Sequence, residues 1–302
     1  MNKILLLDQM ALSCLVTRPT SRDTFLASLR RWDVKIALNF AHVVETTQWE
    51  GSDSSQLRDL IRKLPTCQLR PLVELIDDEI RHAFWRHLGR AVPAVKAVGP
   101  IFSDHPTFAF GDCVSLTVLN TVKGKPVYDS LMKWAEEVPT IFRERLQDPS
   151  FMKDVGNELR FAWRAMKGLL KNDSRLWVTP QGIIVSSASV VDDFLETLDL
   201  ESCPYLKTYM AFMSFRYRSL NRCRMRGDLP DAEHAVHAAV TCDGLVTERN
   251  VAALLQQMKA RGILCKARIA RMSDGWETLE FIQVPRISGP IRQFLRRSNP
   301  PS

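Results

Sequence analysis

The feature that most constrains this chain is an alternation of short apolar runs with amphipathic segments. Residues 3–7, KILLL, form an apolar run that stops at Asp8, as expected of a buried parallel strand. Residues 21–31 follow with helical periodicity, and residues 34–40 predict a second strand before a helix that begins near Ala41. Strand, helix, strand and helix in this order predict an α/β fold with a central parallel sheet.

The same alternation returns near the other end of the chain. Residues 231–240 favour a helix, residues 243–247 (DGLVT) a short strand, and residues 250–261 another helix. Two further strands are predicted over residues 263–269 and 278–284. The two ends therefore have the same α/β character.

A long stretch of different character separates these two pieces. Its helical segments are residues 56–88, broken near Pro65 and Pro71, and residues 127–171, 190–200 and 204–226. We expect one three-layer domain divided between residues 1–80 and 227–302. Residues 81–226 are expected to form a mainly helical insertion.

Composition places the chain among ordinary soluble proteins. It has 302 residues, of which 45% are hydrophobic and 25% charged. Asp8 interrupts the first apolar run too early for a signal peptide, and no stretch has the roughly 18 apolar residues of a membrane span. We therefore expect a cytoplasmic protein without a membrane partner. The seven cysteines form no CxxC pair, so we expect reduced thiols rather than a zinc or redox motif.

The net charge of +7 permits a polyanionic partner, and part of it lies in one basic, aromatic segment. Residues 205–227 contain six basic residues and no acid, interleaved with five aromatic residues. Arginines neutralise phosphates, and aromatic rings stack on unpaired bases. We expect substrate contacts from Arg218, Arg222 and Arg224, whereas the aromatic residues have ordinary core packing as their alternative.

Candidate catalytic residues are the acids that fall near the ends of the predicted strands. Asp8 ends the first strand, and Glu45 lies in the first turns of the helix after the second. Asp231 opens the helix before the DGLVT strand. The fourth acid is either Asp243, which precedes that strand, or Glu248, which follows it. Because ligands of an open parallel sheet bind outside the carboxyl ends of its strands, these carboxylates are predicted to converge.

Crowded carboxylates point to a divalent cation. Neighbouring carboxylates raise each other's pKa unless a cation neutralises them. Mg²⁺ and Mn²⁺ take oxygen ligands, and a pair of such ions can activate water and stabilise the leaving oxygen in phosphodiester cleavage. The residue types therefore fit a Mg²⁺ or Mn²⁺ cofactor.

Three segments together resemble the PIN-domain nucleases. They are ILLLD at 4–8, IALNFAHVVE at 36–45 and DLPDAEHAVHAAVTCDGLVTERN at 228–250. The resemblance implies a PIN-like three-layer domain in which Asp8, Glu45 and Asp231 bind the metal and are catalytic, with Asp243 or Glu248 as the fourth acid. Arg249 departs from the family pattern.

Other polar residues of the same region are candidates for substrate contact, and a purely structural role is the alternative for each. Thr247 is a candidate contact to substrate, against a simple role in ending its strand. Asp228 is a second candidate contact, against a loop aspartate before a helix. His234 and His237 share a helix face, and for both we expect packing or surface roles because the proposed metals prefer oxygen.

The resulting hypothesis is a Mg²⁺- or Mn²⁺-dependent nuclease that hydrolyses phosphodiester bonds. The preference for RNA over DNA follows from the family resemblance alone. Two alternatives stay open: a non-catalytic PIN-like protein that binds nucleic acid or acts as a scaffold, and another Mg²⁺-dependent phosphohydrolase. The insertion at residues 81–226 offers a surface for a protein partner or a second copy of the chain.

Overall fold

The computed structural model describes residues 3–47, 52–99, 159, 163, 166–168, 170–171, 176–185, 187–217 and 228–283. Five strands of these residues form one sheet. They are β1 Lys3–Leu7, β2 Val34–Leu38, β3 Thr66–Gln68, β4 Gly244–Thr247 and β5 Arg268–Arg271. The spatial order is β3-β2-β1-β4-β5, and all four pairings are parallel. At the centre of the sheet, Leu5 of β1 lies opposite Ile36 of β2 on one side and Gly244 of β4 on the other.

Helices flank the sheet and connect its strands. They are α1 Gln9–Thr17, α2 Pro19–Trp32, α3 Phe40–Thr47, α4 Ser52–Lys63, α5 Leu72–His87, α6 Ala188–Thr197, α7 Pro204–Tyr217, α8 Asp228–Val240, α9 Arg249–Ala260 and α10 Glu280–Gln283. Two short 3₁₀ helices cover Leu200–Ser202 and Trp276–Thr278. None of the described helices has the length and apolarity that crossing a membrane would require.

Successive residues of each strand point to opposite faces of the sheet, so two hydrophobic cores form. Leu5 and Leu7 pack into one core with residues of α1, α2 and α4. Leu6 packs into the other core with residues of α5, α7, α8 and α9. All three leucines are fully buried, as expected of a central parallel strand covered on both faces. The predicted α/β architecture with a central parallel sheet is confirmed, and helices on both faces of the sheet are compatible with the predicted three layers.

Several predicted elements need correction. The strand predicted over residues 278–284 is not formed by its described part, residues 278–283: Thr278 ends a 3₁₀ helix, and Glu280–Gln283 form α10. Leu279 adopts the left-handed conformation there, with a φ of 57°. The strand predicted over residues 263–269 begins only at Arg268, whereas the edge strand β3 and helix α1 were not predicted.

Residues of the predicted insertion share a core with the sheet. Helices α6 and α7 pack into the same cluster as Leu6, through Phe194 and Phe212 among others. The expected boundary after residue 80 falls inside α5. Most of the helical prediction over residues 127–171, and residues 218–227, lie outside the described residues. The five described cysteines, Cys14, Cys67, Cys203, Cys242 and Cys265, are free thiols.

Candidate active site at the carboxyl edge of the sheet

The strand order has its switch point between the carboxyl ends of β1 and β4. From β1 the chain runs outward to β2 and β3, and it later returns to place β4 on the other side of β1. In open α/β sheets, ligands bind at such a switch point, outside the carboxyl ends of the strands. Asp8 follows β1 directly, and Glu248 follows β4 directly. These two residues therefore lie on either side of the switch point.

Asp8 accepts hydrogen bonds from residues that follow β1 and from residues at the end of β4. Its Oδ1 accepts the backbone N–H of Ala11 at 2.8 Å, which caps α1, and its Oδ2 accepts the backbone N–H of Glu248 at 3.0 Å. The Thr247 hydroxyl donates a third hydrogen bond. Burial, and to a smaller extent the charge of Glu45, raise the pKa of Asp8 to about 7, although these hydrogen bonds lower it.

Glu45 of α3 lies at the same edge of the sheet, and its charge interacts with those of Asp8 and Glu248. Burial, first, and the charge of Glu248, second, raise the pKa of Glu45 to about 8. Its Oε2 lies 3.0 Å from Nε2 of His234 on α8. Asp8, Glu45 and Glu248 thus form a chain of electrostatically coupled carboxyl groups at one end of the sheet. Two of these groups have a raised proton affinity, which is typical of functional sites.

Two buried histidines, His42 and His234, lie next to this cluster, and no motif in the sequence assigned them to it. Nε2 of His42 lies 2.6 Å from the carbonyl oxygen of Leu7, and its Nδ1 accepts the backbone N–H of Asn39 at 3.1 Å. The rings of His42 and His234 meet edge to face with centroids 4.6 Å apart. The signal for His42 was its spacing, since it precedes Glu45 by one helical turn.

Asp231 forms an ion pair with an arginine side chain, Arg216. It lies one turn before His234 in α8, and its Oδ2 is 2.5 Å from Nη2 of Arg216 in α7. The Arg216 side chain is 4% exposed and that of Asp231 28% exposed. The contact joins the acid predicted for metal binding to one arginine of the basic segment, a pairing that no local pattern in the sequence indicated.

Asp243 lies at the opposite edge of the sheet. It precedes β4, its Oδ2 accepts the backbone N–H of Ile4 at 2.9 Å, and its Oδ1 is 3.4 Å from Nζ of Lys266. A strand rises about 3.3 Å per residue, so the length of β4 alone separates Asp243 from Glu248 by roughly 13 Å. Of the two alternatives for the fourth acid, only Glu248 lies at the edge where Asp8 lies.

The remaining predicted contacts are distributed unevenly. Thr247 is 1% exposed and donates to Asp8, so it supports that carboxylate from within the protein. Arg249 is exposed at the first position of α9. Asp228 is the first residue of α8, but its side chain is not described, and Arg218, Arg222 and Arg224 lie outside the described residues.

The aromatic residues of the basic segment are mainly core. Tyr205, Phe212 and Phe215 of α7 are at most 6% exposed, and all three belong to the core that contains Leu6. They have no free ring face to offer to a nucleobase. Core packing, the alternative stated for these residues, is what they adopt.

No cluster of three or more His, Cys, Asp or Glu residues within the described part of the chain is arranged to hold a metal ion as it stands. The donor type at the carboxyl edge is nevertheless oxygen, supplied by Asp8, Glu45 and Glu248. Mg²⁺ keeps several waters and commonly binds through one or two carboxylates together with substrate phosphates, so it does not require a preassembled cage. The donor chemistry fits Mg²⁺ or Mn²⁺.

Comparison with protein-family models, with curated proteins and with solved structures finds no match for this chain.

Proposed function

We propose that this protein is a Mg²⁺- or Mn²⁺-dependent nuclease with a PIN-like domain, acting on RNA. The proposal depends chiefly on two carboxyl groups beside the switch point of a parallel sheet: Asp8, which is buried, and Glu45, whose side chain is 21% exposed. Burial raises the pKa of Asp8 to about 7 and that of Glu45 to about 8, so the cluster carries its full negative charge at neutral pH only with a compensating cation. A hydrolytic metal site has this requirement.

The PIN-like part of the proposal is supported by the order of acids along the chain. A strand-ending aspartate, a glutamate in a helix after the second strand, and an acid after a later strand match the family pattern. In this chain these residues are Asp8, Glu45 and Glu248. The preference for RNA is carried over from the same resemblance.

Asp8, Glu45 and Glu248 would hold the cation. Each oxygen of a carboxylate has two lone pairs, so the hydrogen bonds from Ala11 and Glu248 leave Asp8 able to accept another ligand. Asp231 would bind the cation only if its carboxylate left the ion pair with Arg216. The bound cation would supply positive charge that activates water and stabilises the leaving oxygen.

The protein's own residues orient the carboxylates and attract the substrate. The Thr247 hydroxyl and the N–H groups of Ala11 and Glu248 fix the direction of the Asp8 carboxylate. The exposed Arg249 and the N-terminus of α9 bring positive potential to the switch point, where a phosphate of the substrate would lie.

One observation favours a non-catalytic alternative. The Arg216 guanidinium already neutralises Asp231, which a metal would otherwise do. A protein that kept the fold and bound nucleic acid without cleaving it would be stabilised by this ion pair. Such a scaffold would bind single-stranded RNA but would have no saturable Mn²⁺ site.

The test compares Asp8→Asn with Asp243→Asn, two conservative changes at opposite edges of the sheet. Asparagine caps a helix as well as aspartate does, so α1 keeps its N-cap in the Asp8→Asn variant. We expect Asp8→Asn to lower manganese-stimulated cleavage of single-stranded RNA by at least about 100-fold, since a catalytic metal contributes several kcal/mol. Asp243→Asn, which can still accept the N–H of Ile4, should cleave like the parent.

Cleavage that survives Asp8→Asn would show that the carboxyl edge is not the active site. A parent protein that binds RNA but shows no metal-dependent cleavage would favour the scaffold.

A further inference from the structure

The candidate site contains a buried histidine with a direct contact to one of its carboxylates. His234 is 2% exposed, and its Nε2 lies 3.0 Å from Oε2 of Glu45, a residue 189 positions away in the sequence. The contact joins α8 to α3. A packing residue would require no polar partner, so this contact needs an account of its own.

The direction of this hydrogen bond follows from the other nitrogen of the ring. Nδ1 of His234 is buried and has no hydrogen-bond partner in the described part of the chain. A buried N–H without an acceptor is rarer and costlier than an unpaired lone pair. The proton of the neutral ring therefore belongs on Nε2, which donates to Glu45. A glutamate that receives such a hydrogen bond is fixed in orientation.

His42 holds the His234 ring in place. The edge of one ring meets the face of the other with centroids 4.6 Å apart. Both nitrogens of His42 are engaged, Nε2 with the carbonyl oxygen of Leu7 and Nδ1 with the backbone N–H of Asn39. Leu7 immediately precedes Asp8. The two rings therefore connect the end of β1, the start of α3 and the middle of α8.

We propose that His234 is a positioning residue that donates through Nε2 to Glu45 and holds this carboxylate in the direction needed to bind the divalent cation. The inference rests on the proposed function, because it assigns Glu45 to a metal. Carboxylate ligands of metals are themselves commonly held by hydrogen bonds, and loss of such a partner costs 10- to 100-fold in metal affinity. Asp8 has its own donors, whereas His234 supplies one for Glu45.

The experiment compares His234→Phe with His234→Gln. Phenylalanine keeps a ring against His42 but removes the donor, and glutamine retains an N–H close to the position of Nε2. Calorimetric titration should show that His234→Phe raises the Kd for Mn²⁺ by about 10- to 100-fold, whereas His234→Gln stays within about threefold of the parent. Denaturation by urea shows whether each variant is folded.

His237→Phe is the matched control. His237 lies one turn further along α8, is fully buried, and contacts a different carboxylate, Glu233, at 3.2 Å. The His237→Phe variant should disturb packing as much as His234→Phe does but leave the Kd for Mn²⁺ unchanged. If His234→Phe does not fold, His234→Asn replaces it, since the shorter amide does not reach Glu45 and should weaken Mn²⁺ binding while His234→Gln does not.

The outcomes separate this inference from the proposed function. If the parent protein shows no Mn²⁺ binding that depends on Asp8, as tested with Asp8→Asn, both the role of His234 and the proposed function are overturned. A parent that binds Mn²⁺, together with a His234→Phe or His234→Asn variant of equal affinity, overturns only the role of His234. Nitrogen-15 NMR of the imidazole rings gives a readout without metal: a His234 ring protonated on Nδ1 would also overturn it.

Discussion

Glu79 of α5 is a buried carboxyl group that holds the beginning of another helix. Its Oε1 and Oε2 accept the backbone N–H groups of Tyr205 and Leu206, both at 2.9 Å. The first N–H groups of a helix have no partner within the helix, and a carboxylate supplies two acceptors at once. Glu79 therefore joins α5 to α7 on the side of the sheet that carries α8.

The proton affinity of Glu79 predicts how stability changes with pH. Burial raises the pKa of Glu79 from 4.5 to about 7. Between these values the folded protein retains a proton that the unfolded chain has lost. The contribution of Glu79 to the free energy of unfolding should therefore fall as pH rises from about 4.5 to 7, by up to about 1.4 kcal/mol per pH unit, and stay level above this range.

Urea denaturation of the parent and of Glu79→Gln between about pH 5 and pH 8 measures this effect. The difference in unfolding free energy, parent minus variant, should decrease up to about pH 7 and then become constant. The exposed Glu201, changed to Gln, controls for the removal of one negative charge. A difference that is independent of pH would contradict the assignment.

Individual residues of the site were predictable to different degrees. Asp8 and Glu45 follow from strand ends that the sequence marks clearly. The choice of Glu248 over Asp243 was also available, because in a parallel sheet only the residue after a strand reaches the carboxyl edge. Two contacts could not be predicted from the sequence, because they depend on how α7, α8 and α3 pack. They are the pairing of Arg216 with Asp231 and the contact of His234 with Glu45.

At the scale of elements, the end of α2 is held by an aspartate in an unfavourable conformation. Asp33 has a φ of 49° and a ψ of 53°, and its backbone N–H donates to the carbonyl oxygen of Leu29. Glycine adopts this left-handed conformation without the steric cost that a Cβ introduces. The side chain of Asp33 is exposed, so little else is lost by removing it.

We therefore expect Asp33→Gly to raise the free energy of unfolding by about 0.5–1 kcal/mol. Asp59→Gly, at an exposed position within α4, should lower it by a few tenths of a kcal/mol or more, because glycine is a poor helix former. Chemical denaturation of both variants tests the pair. Destabilisation by Asp33→Gly would show that its side chain contributes more than its backbone costs.

The helix α10 illustrates why a local pattern can mislead. Residues 278–284, TLEFIQV, alternate between polar and apolar side chains except at Phe281 and Ile282, and near alternation of this kind favours a strand. In the folded chain Ile282 packs so closely against Gly244 that a Cβ at Gly244 would lie 2.9 Å from its Cδ1. This contact joins α10 to β4, and its effect on local conformation is not encoded within residues 278–284. The three-residue strand β3 was missed for a related reason, because its residues are only partly buried at the edge of the sheet.

At the scale of the whole molecule, the sheet depends on both ends of the chain. Strand β1 pairs with β2 on one side and with β4 on the other, and helices on the two faces fully bury Leu5, Leu6 and Leu7. Without residues 227–302, β1 would lose its pairing with β4, and Leu6 would lose the part of its cover that α8 and α9 provide. Burying a leucine side chain contributes about 1.5–3 kcal/mol, and whole domains are stable by only about 5–15 kcal/mol.

A chain that ends at residue 226 is therefore expected not to fold, whereas one that ends at residue 283 should unfold cooperatively. Near-ultraviolet circular dichroism and urea denaturation distinguish the two outcomes. A cooperative transition in the shorter chain would mean that residues 1–226 contain an independent domain, contrary to the shared core of α5, α7 and α8.

The hydrogen bond from the Glu248 N–H to Asp8 has a consequence for synthesis. Its two ends are 240 residues apart, and ribosomes add about 5–20 residues per second. Asp8 therefore leaves the ribosome roughly 10–50 s before its partner exists. During that time the nascent chain has Asp8 and Ala11, whose backbone N–H donates to it, but neither Thr247 nor Glu248. Whatever chemistry the finished site performs is withheld from the chain while it is being made.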